Sequence, residues 1–135
     1  MFASCKHQAP NPSSQLLDYI SIQESSCEGS CPVYKLTIYN NGKADFDGKL
    51  NVLKKGKHHY QFLKEEYIDL FQIISIIDFD AFNDKYDSGI ADLPETIITY
   101  KEKLIVIKDL RVIPKTLKGL VNKLQELARS TGYIN

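Results

Sequence analysis

Two cysteines set four apart, Cys27 and Cys31 in "SSCEGSCPVY", are the residues of this chain best suited to chemistry. A C-x3-C pair can supply two thiolates to a metal, exchange electrons, or close a turn as a disulfide. Zinc needs about four ligands, and the nearest histidines, His58 and His59, are adjacent. On a strand, adjacent side chains point to opposite faces, so those two do not chelate one ion together. Either one with His7 completes a site only if the N-terminal segment folds back. Thiol exchange favours a lowered cysteine pKa beside cationic groups or at a helix N-terminus. Here Glu28 follows Cys27, and Pro32 with a strand-like run follows Cys31. The third reading, a structural staple, fits the neighbours best. Gly29 eases a tight loop, and Pro32 fixes the exit toward Tyr34. The chain-entropy expression assigns such a short loop roughly 2 kcal/mol. A staple also implies an oxidising compartment. Metal and redox roles for Cys27 and Cys31 stay open as the alternative.

The elements that must hold this loop are legible from hydrophobic periodicity. Asp18 to Gln23 reads as a strand. Val33 to Asn40 alternates with a period of two, Tyr34, Leu36 and Ile38 on one face. Asn40-Asn41-Gly42 predicts a hairpin. The return strand carries Ala44, Phe46, Leu50 and Val52, with Gly48 marking a bulge, and His58 to Phe62 is a fourth strand. The period then changes. Tyr67, Leu70, Phe71, Ile74 and Ile77 form a helical stripe, with Glu65 and Glu66 in its first turn. Residues 78–95 read as an irregular acidic stretch with Phe79 and Phe82 against the core. Glu95 to Tyr100 and Leu104 to Lys108 form a second hairpin. Pro114 opens a last helix with Leu117, Leu120, Val121, Leu124 and Leu127 buried, and Gly132 ends it. The expected architecture is α+β and two-layered: a single antiparallel sheet of about six strands, two helices on one face, in the order ββββαββα.

The 135 residues suit one domain, at 43% hydrophobic and 25% charged. Formal net charge is zero, which gives no global attraction to nucleic acid or an anionic membrane. Locally, Glu65 to Glu95 holds nine acids against one base, while residues 96–135 hold eight bases against three acids. Phe2-Ala3-Ser4-Cys5 resembles the lipobox of bacterial lipoproteins, with Cys5 as the lipidation candidate. Phe2 stands where that motif usually has Leu. The Pro-, Ser- and Asn-rich residues that follow read as a flexible tether. The domain division is therefore 1–16, start and tether, and 17–135, one α+β domain.

Cys27-x-Gly29-x-Cys31-Pro32-x-Tyr34 is similar to the C-x-G-x-C-P-x-Y signature of an uncharacterised bacterial domain family. The similarity continues through Phe46 and Gly48, then Tyr86 and Asp92-Leu93-Pro94, into the last helix. The resemblance implies a small secreted or lipid-anchored protein and supplies no mechanism.

No nucleophile elbow, phosphate loop, dinucleotide fingerprint or zinc-protease motif occurs. Asp78-x-Asp80 lacks the turn glycine of a calcium loop. The expected function is a non-enzymatic envelope domain, without cofactor or metal, that binds an unknown protein or surface polymer. It contacts membrane only through lipid on Cys5 and does not bind nucleic acid. The expected surface is the disulfide loop together with Tyr86, Asp87, Asp92 and Pro94. A small hydrolase in the acidic loop is a further reading, and it predicts a buried carboxylate of raised pKa there.

Overall fold

A computed structural model describes residues 17–134. Four strands come first: β1 (Tyr19–Glu24), β2 (Val33–Tyr39), β3 (Lys43–Leu50) and β4 (Gly56–Gln61). Helix α1 (Lys64–Ser75) follows, then β5 (Lys85–Tyr86), β6 (Thr96–Tyr100), β7 (Lys103–Ile107) and helix α2 (Lys115–Ser130). The strands make one seven-stranded sheet in the order β4-β3-β2-β1-β6-β7-β5. The mixed α+β class and the two helices match the sequence reading.

Strand number and direction do not. The acidic stretch read as irregular contains β5, which pairs parallel with β7, Lys85 opposite Val106 and Tyr86 opposite Ile107. Two residues are too short to show an alternation. Tethers from elsewhere hold them in place: Lys103 Nζ donates to the Phe82 carbonyl at 2.7 Å and to Asp84 at 2.8 Å.

Alternation puts Ile20 and Ile22, Tyr34, Leu36 and Ile38, Ala44 and Phe46, Ile98, and Ile105 and Ile107 on one sheet face, all buried. The same core takes Leu70 and Ile74 of α1 and six residues of α2, including Leu117, Leu120, Val121 and Leu124. Both helices therefore cover this face, each buried aliphatic side chain contributing roughly 2 kcal/mol. Phe79 and Phe82 are also buried.

Two glycines are demanded by close approach. Gly42, at φ +86°, closes the β2–β3 turn, and a Cβ there would lie 2.3 Å from the Tyr67 ring. At Gly48 a Cβ would meet the Lys54 carbonyl at 2.2 Å. The expected irregularity is present beside it, where Val33 pairs with Leu50 and Tyr34 with Gly48. The shift pairs Leu50 with Val33 rather than with a residue of the core face, so Leu50 is exposed instead of alternating into the core. The following loop folds over Gly48 and is clipped to the C-terminal tail, Leu53 and Lys54 both donating to the Tyr133 carbonyl at 2.8 and 3.1 Å.

Candidate functional site

The strand register brings a polar row to the end of the core face. Glu24 of β1 is the cross-strand partner of Tyr34 on β2 and of Thr96 on β6. On α2, Gln125 and Arg129 stand four apart, so they share one helix face. Gln125 Nε2 donates to Glu24 Oε2 at 2.7 Å, and the Thr96 hydroxyl donates to Glu24 Oε1. These five residues, with Cys31, Pro32, Pro94, Leu110 and Ile134, line a cavity of about 330 Å³. A neighbouring hollow of about 440 Å³ shares Glu24 and Tyr34 and opens toward Gln23, Lys35 and Lys49.

Burial is the main influence on the two acidic groups. It pushes the Glu24 carboxyl up, against the hydrogen bonds from Thr96 and Gln125. It also holds the Tyr34 phenol well above its ordinary value. The negative charge of Glu24 adds to that effect, and Arg129 works against it. Tyr34 is therefore protonated and a donor throughout the physiological range. The residue is 2% exposed. Its ring stacks on Phe46, and its hydroxyl has no hydrogen-bond partner among the described residues.

Cys27 and Cys31 are joined as a disulfide with Cα atoms 5.7 Å apart, closing the connection between β1 and β2. Gly29 is not among the residues of positive φ. Its N–H points at Cys27 Sγ, 3.3 Å away. The Cys31 carbonyl accepts from Asn51 Nδ2 at 3.2 Å, which fixes the loop to the β3–β4 connection.

The anticipated second loop divides. Pro94 lines the cavity. Tyr86 is not a loop residue but half of β5, its phenol oxygen accepting the Asn83 N–H at 3.0 Å. Asp87 and Asp92 are exposed and line no part of the cavity, and Asp87 accepts from Gly89 N at 2.8 Å. The loop is anchored through Ser88, whose hydroxyl donates to Asp109 at 2.6 Å. Asp109 is buried and also accepts two side-chain hydrogen bonds from Arg111, which hold its carboxyl far below the usual range. The carboxylate of raised pKa sought in the acidic loop is thus Glu24, outside it. Cys5 and His7 lie outside the described residues.

Glu24, Thr96, Gln125 and Arg129 carried no signal in the sequence, because sheet register and helix docking assemble them. Among the described residues no three His, Cys, Asp or Glu side chains gather as a metal site. His58 and His59 face opposite ways. The ring of His58 packs on Tyr133, whereas Nδ1 of His59 lies 2.8 Å from Asp45 on the outer face. A wider hollow of about 700 Å³ beside His59 and Asp45 is open surface, and its carboxylate is already bonded to His59 and Tyr39.

A family model described as a domain of unknown function (DUF6438) matches residues 18–128, from the approach to β1 almost to the end of α2. No curated protein sequence matches the chain. With the match covering most of its length, the chain belongs to the DUF6438 family, in keeping with the expectation of an uncharacterised domain family.

Proposed function

We propose that this chain is a non-enzymatic binding domain of the cell envelope, tethered by lipid on Cys5 or secreted, and that it takes part of an envelope protein or surface polymer into the cavity beside the disulfide. The observation that carries this reading is the Tyr34 hydroxyl, buried in the cavity wall without a partner among the described residues. A buried hydroxyl left unpaired costs roughly 1–3 kcal/mol, which a ligand acceptor would offset. The walls come from three separated parts of the chain, and the disulfide loop holds one of them. Preformed walls reduce the ordering cost of binding. The compartment is supported by the disulfide, since such bonds persist where thiols are not kept reduced.

Retention of envelope components on immobilised protein tests the site. A species held by the wild type and released about tenfold more readily from Tyr34→Phe supports it. Equal retention by both proteins places binding elsewhere. The intact mass of protein recovered from an envelope fraction, alkylated without reductant, tests anchor and staple together. Acyl mass on Cys5 with Cys27 and Cys31 unmodified is expected. Two alkylated thiols would instead favour the alternative, a thiol-redox or metal protein using those cysteines.

A further inference from the structure

We infer that the ligand group entering the cavity beside the disulfide is zwitterionic, carrying both an ammonium and a carboxylate. The inference rests on the reading that this cavity is the binding site, and it specifies the chemistry received there. The Glu24 carboxylate is drawn from water, and both of its oxygens accept only neutral donors, Thr96 and Gln125. No cationic side chain among the described residues pairs with it. A half-buried carboxylate held this way gains from a cation brought by a ligand.

Arg129 stands at the same cavity, exposed, in the last turn of α2, with no carboxylate partner among the described residues. Its planar fork suits a carboxylate. The Tyr34 phenol feels both charges, Glu24 raising its pKa and Arg129 lowering it, and all three residues line the one cavity. A ligand with its ammonium toward Glu24 and its carboxylate toward Arg129 and Tyr34 matches both poles. A purely anionic ligand would crowd Glu24, and a purely cationic one would face Arg129. Pro32, Leu110 and Ile134 supply apolar wall for an aliphatic side chain. The volume, about 330 Å³, lies at the small end of ligand cavities and accommodates an amino acid or a dipeptide.

Two sources carry this chemistry: a free amino acid, and a short peptide such as ends a peptide-bearing polymer. Titration of the isotope-labelled full chain by NMR with L-leucine and with leucyl-glycine separates them by which binds more tightly. The charge test uses leucinamide, which lacks the carboxylate, and N-acetyl-leucine, which lacks the ammonium. Shifts at residues 24–34 and 125–134 are expected for at least one zwitterion. Each derivative of leucine should bind about tenfold or more weakly. Arg129→Gln, at an exposed position, should erase the preference for leucine over leucinamide. Glu24→Gln should erase its preference over N-acetyl-leucine, and Tyr34→Phe should weaken both zwitterions by about threefold to tenfold.

Derivatives binding as well as leucine, or no response to either zwitterion, would overturn the inference. If an envelope component is still retained in a Tyr34-dependent manner when both zwitterions fail, the site stands and the ligand chemistry is wrong. If that dependence is absent as well, the site itself is wrong.

Discussion

The carboxylate of Glu24 is half-buried and is held by two neutral hydrogen bonds, from Thr96 and Gln125. Burial raises its pKa, so the folded state binds this proton more readily than the unfolded chain does. The sign follows: its contribution to stability is greatest below the unfolded value and is lost as pH rises through the folded one. Glu24→Gln removes the charge and keeps the size. Its melting temperature is expected to equal or exceed that of wild type at pH 7, with the difference vanishing below about pH 4. Thermal denaturation at both pH values checks this, and a variant less stable at pH 7 than at pH 4, relative to wild type, contradicts it. The disulfide works through the unfolded chain instead. Its short loop gives the double variant Cys27→Ser, Cys31→Ser an expected loss of roughly 2 kcal/mol, or about 5–10 °C in melting temperature. Calorimetry of oxidised wild type beside the variant reads it directly. A loss near zero would mean that the hydrogen bond from Asn51 to the Cys31 carbonyl already fixes the loop.

Between β5 and α2 the loops are organised around Asp109, which gathers Ser88 from the acidic segment and Arg111 from its own turn. Arg111, first, and Ser88 hold its carboxyl low, so the anchorage is present at neutral pH and is lost only as pH falls through that depressed value. Asp109→Asn is expected to free residues 87–94 at pH 7 and raise proteolytic cleavage there by about tenfold, with the melting temperature falling only a few degrees. Timed digestion checks this, and an unchanged cleavage rate would show that the Lys103 contacts to Phe82 and Asp84 suffice. The same region separates what was legible in the sequence from what was not. The β2 run and the α1 and α2 stripes announce themselves because alternation and 3.6-residue spacing are properties of contiguous residues. β5 has two residues, and its pairing depends on Lys103, about twenty positions later. Cys31, Pro32, Tyr34 and Pro94 drew attention through residue type, and they do meet at one cavity. Their polar companions escaped because Glu24 and Gln125 are 101 residues apart and meet only once β1 and α2 have docked.

β1 is the seam of the whole sheet, with β2, β3 and β4 on one side and β6, β7 and β5 on the other. The first group is built from neighbouring hairpins. The second starts about seventy residues further along the chain and joins the first through β1, the Ser25–Glu95 hydrogen bonds beside it and the shared helix layer. Ile22 lies at the centre of that seam, fully buried, opposite Leu36 on β2 and Ile98 on β6. Truncating it opens a cavity touching both groups. Ile22→Ala is therefore expected to cost about 3–4 kcal/mol and lower the melting temperature by about 10–15 °C, whereas Ile90→Ala, on the exposed loop, stays within about 0.5 kcal/mol. The informative readout is hydrogen exchange strand by strand. If the domain is one cooperative unit, amides of β2 and β6 in Ile22→Ala lose the same protection, equal to the drop in global stability. If β2 and β3 keep theirs while β6 and β7 open, the hairpins beside the disulfide are stable alone. The cavity lined by Tyr34 and Thr96 would then form and dissolve with the docking of the second group, and ligand affinity would be coupled to that docking.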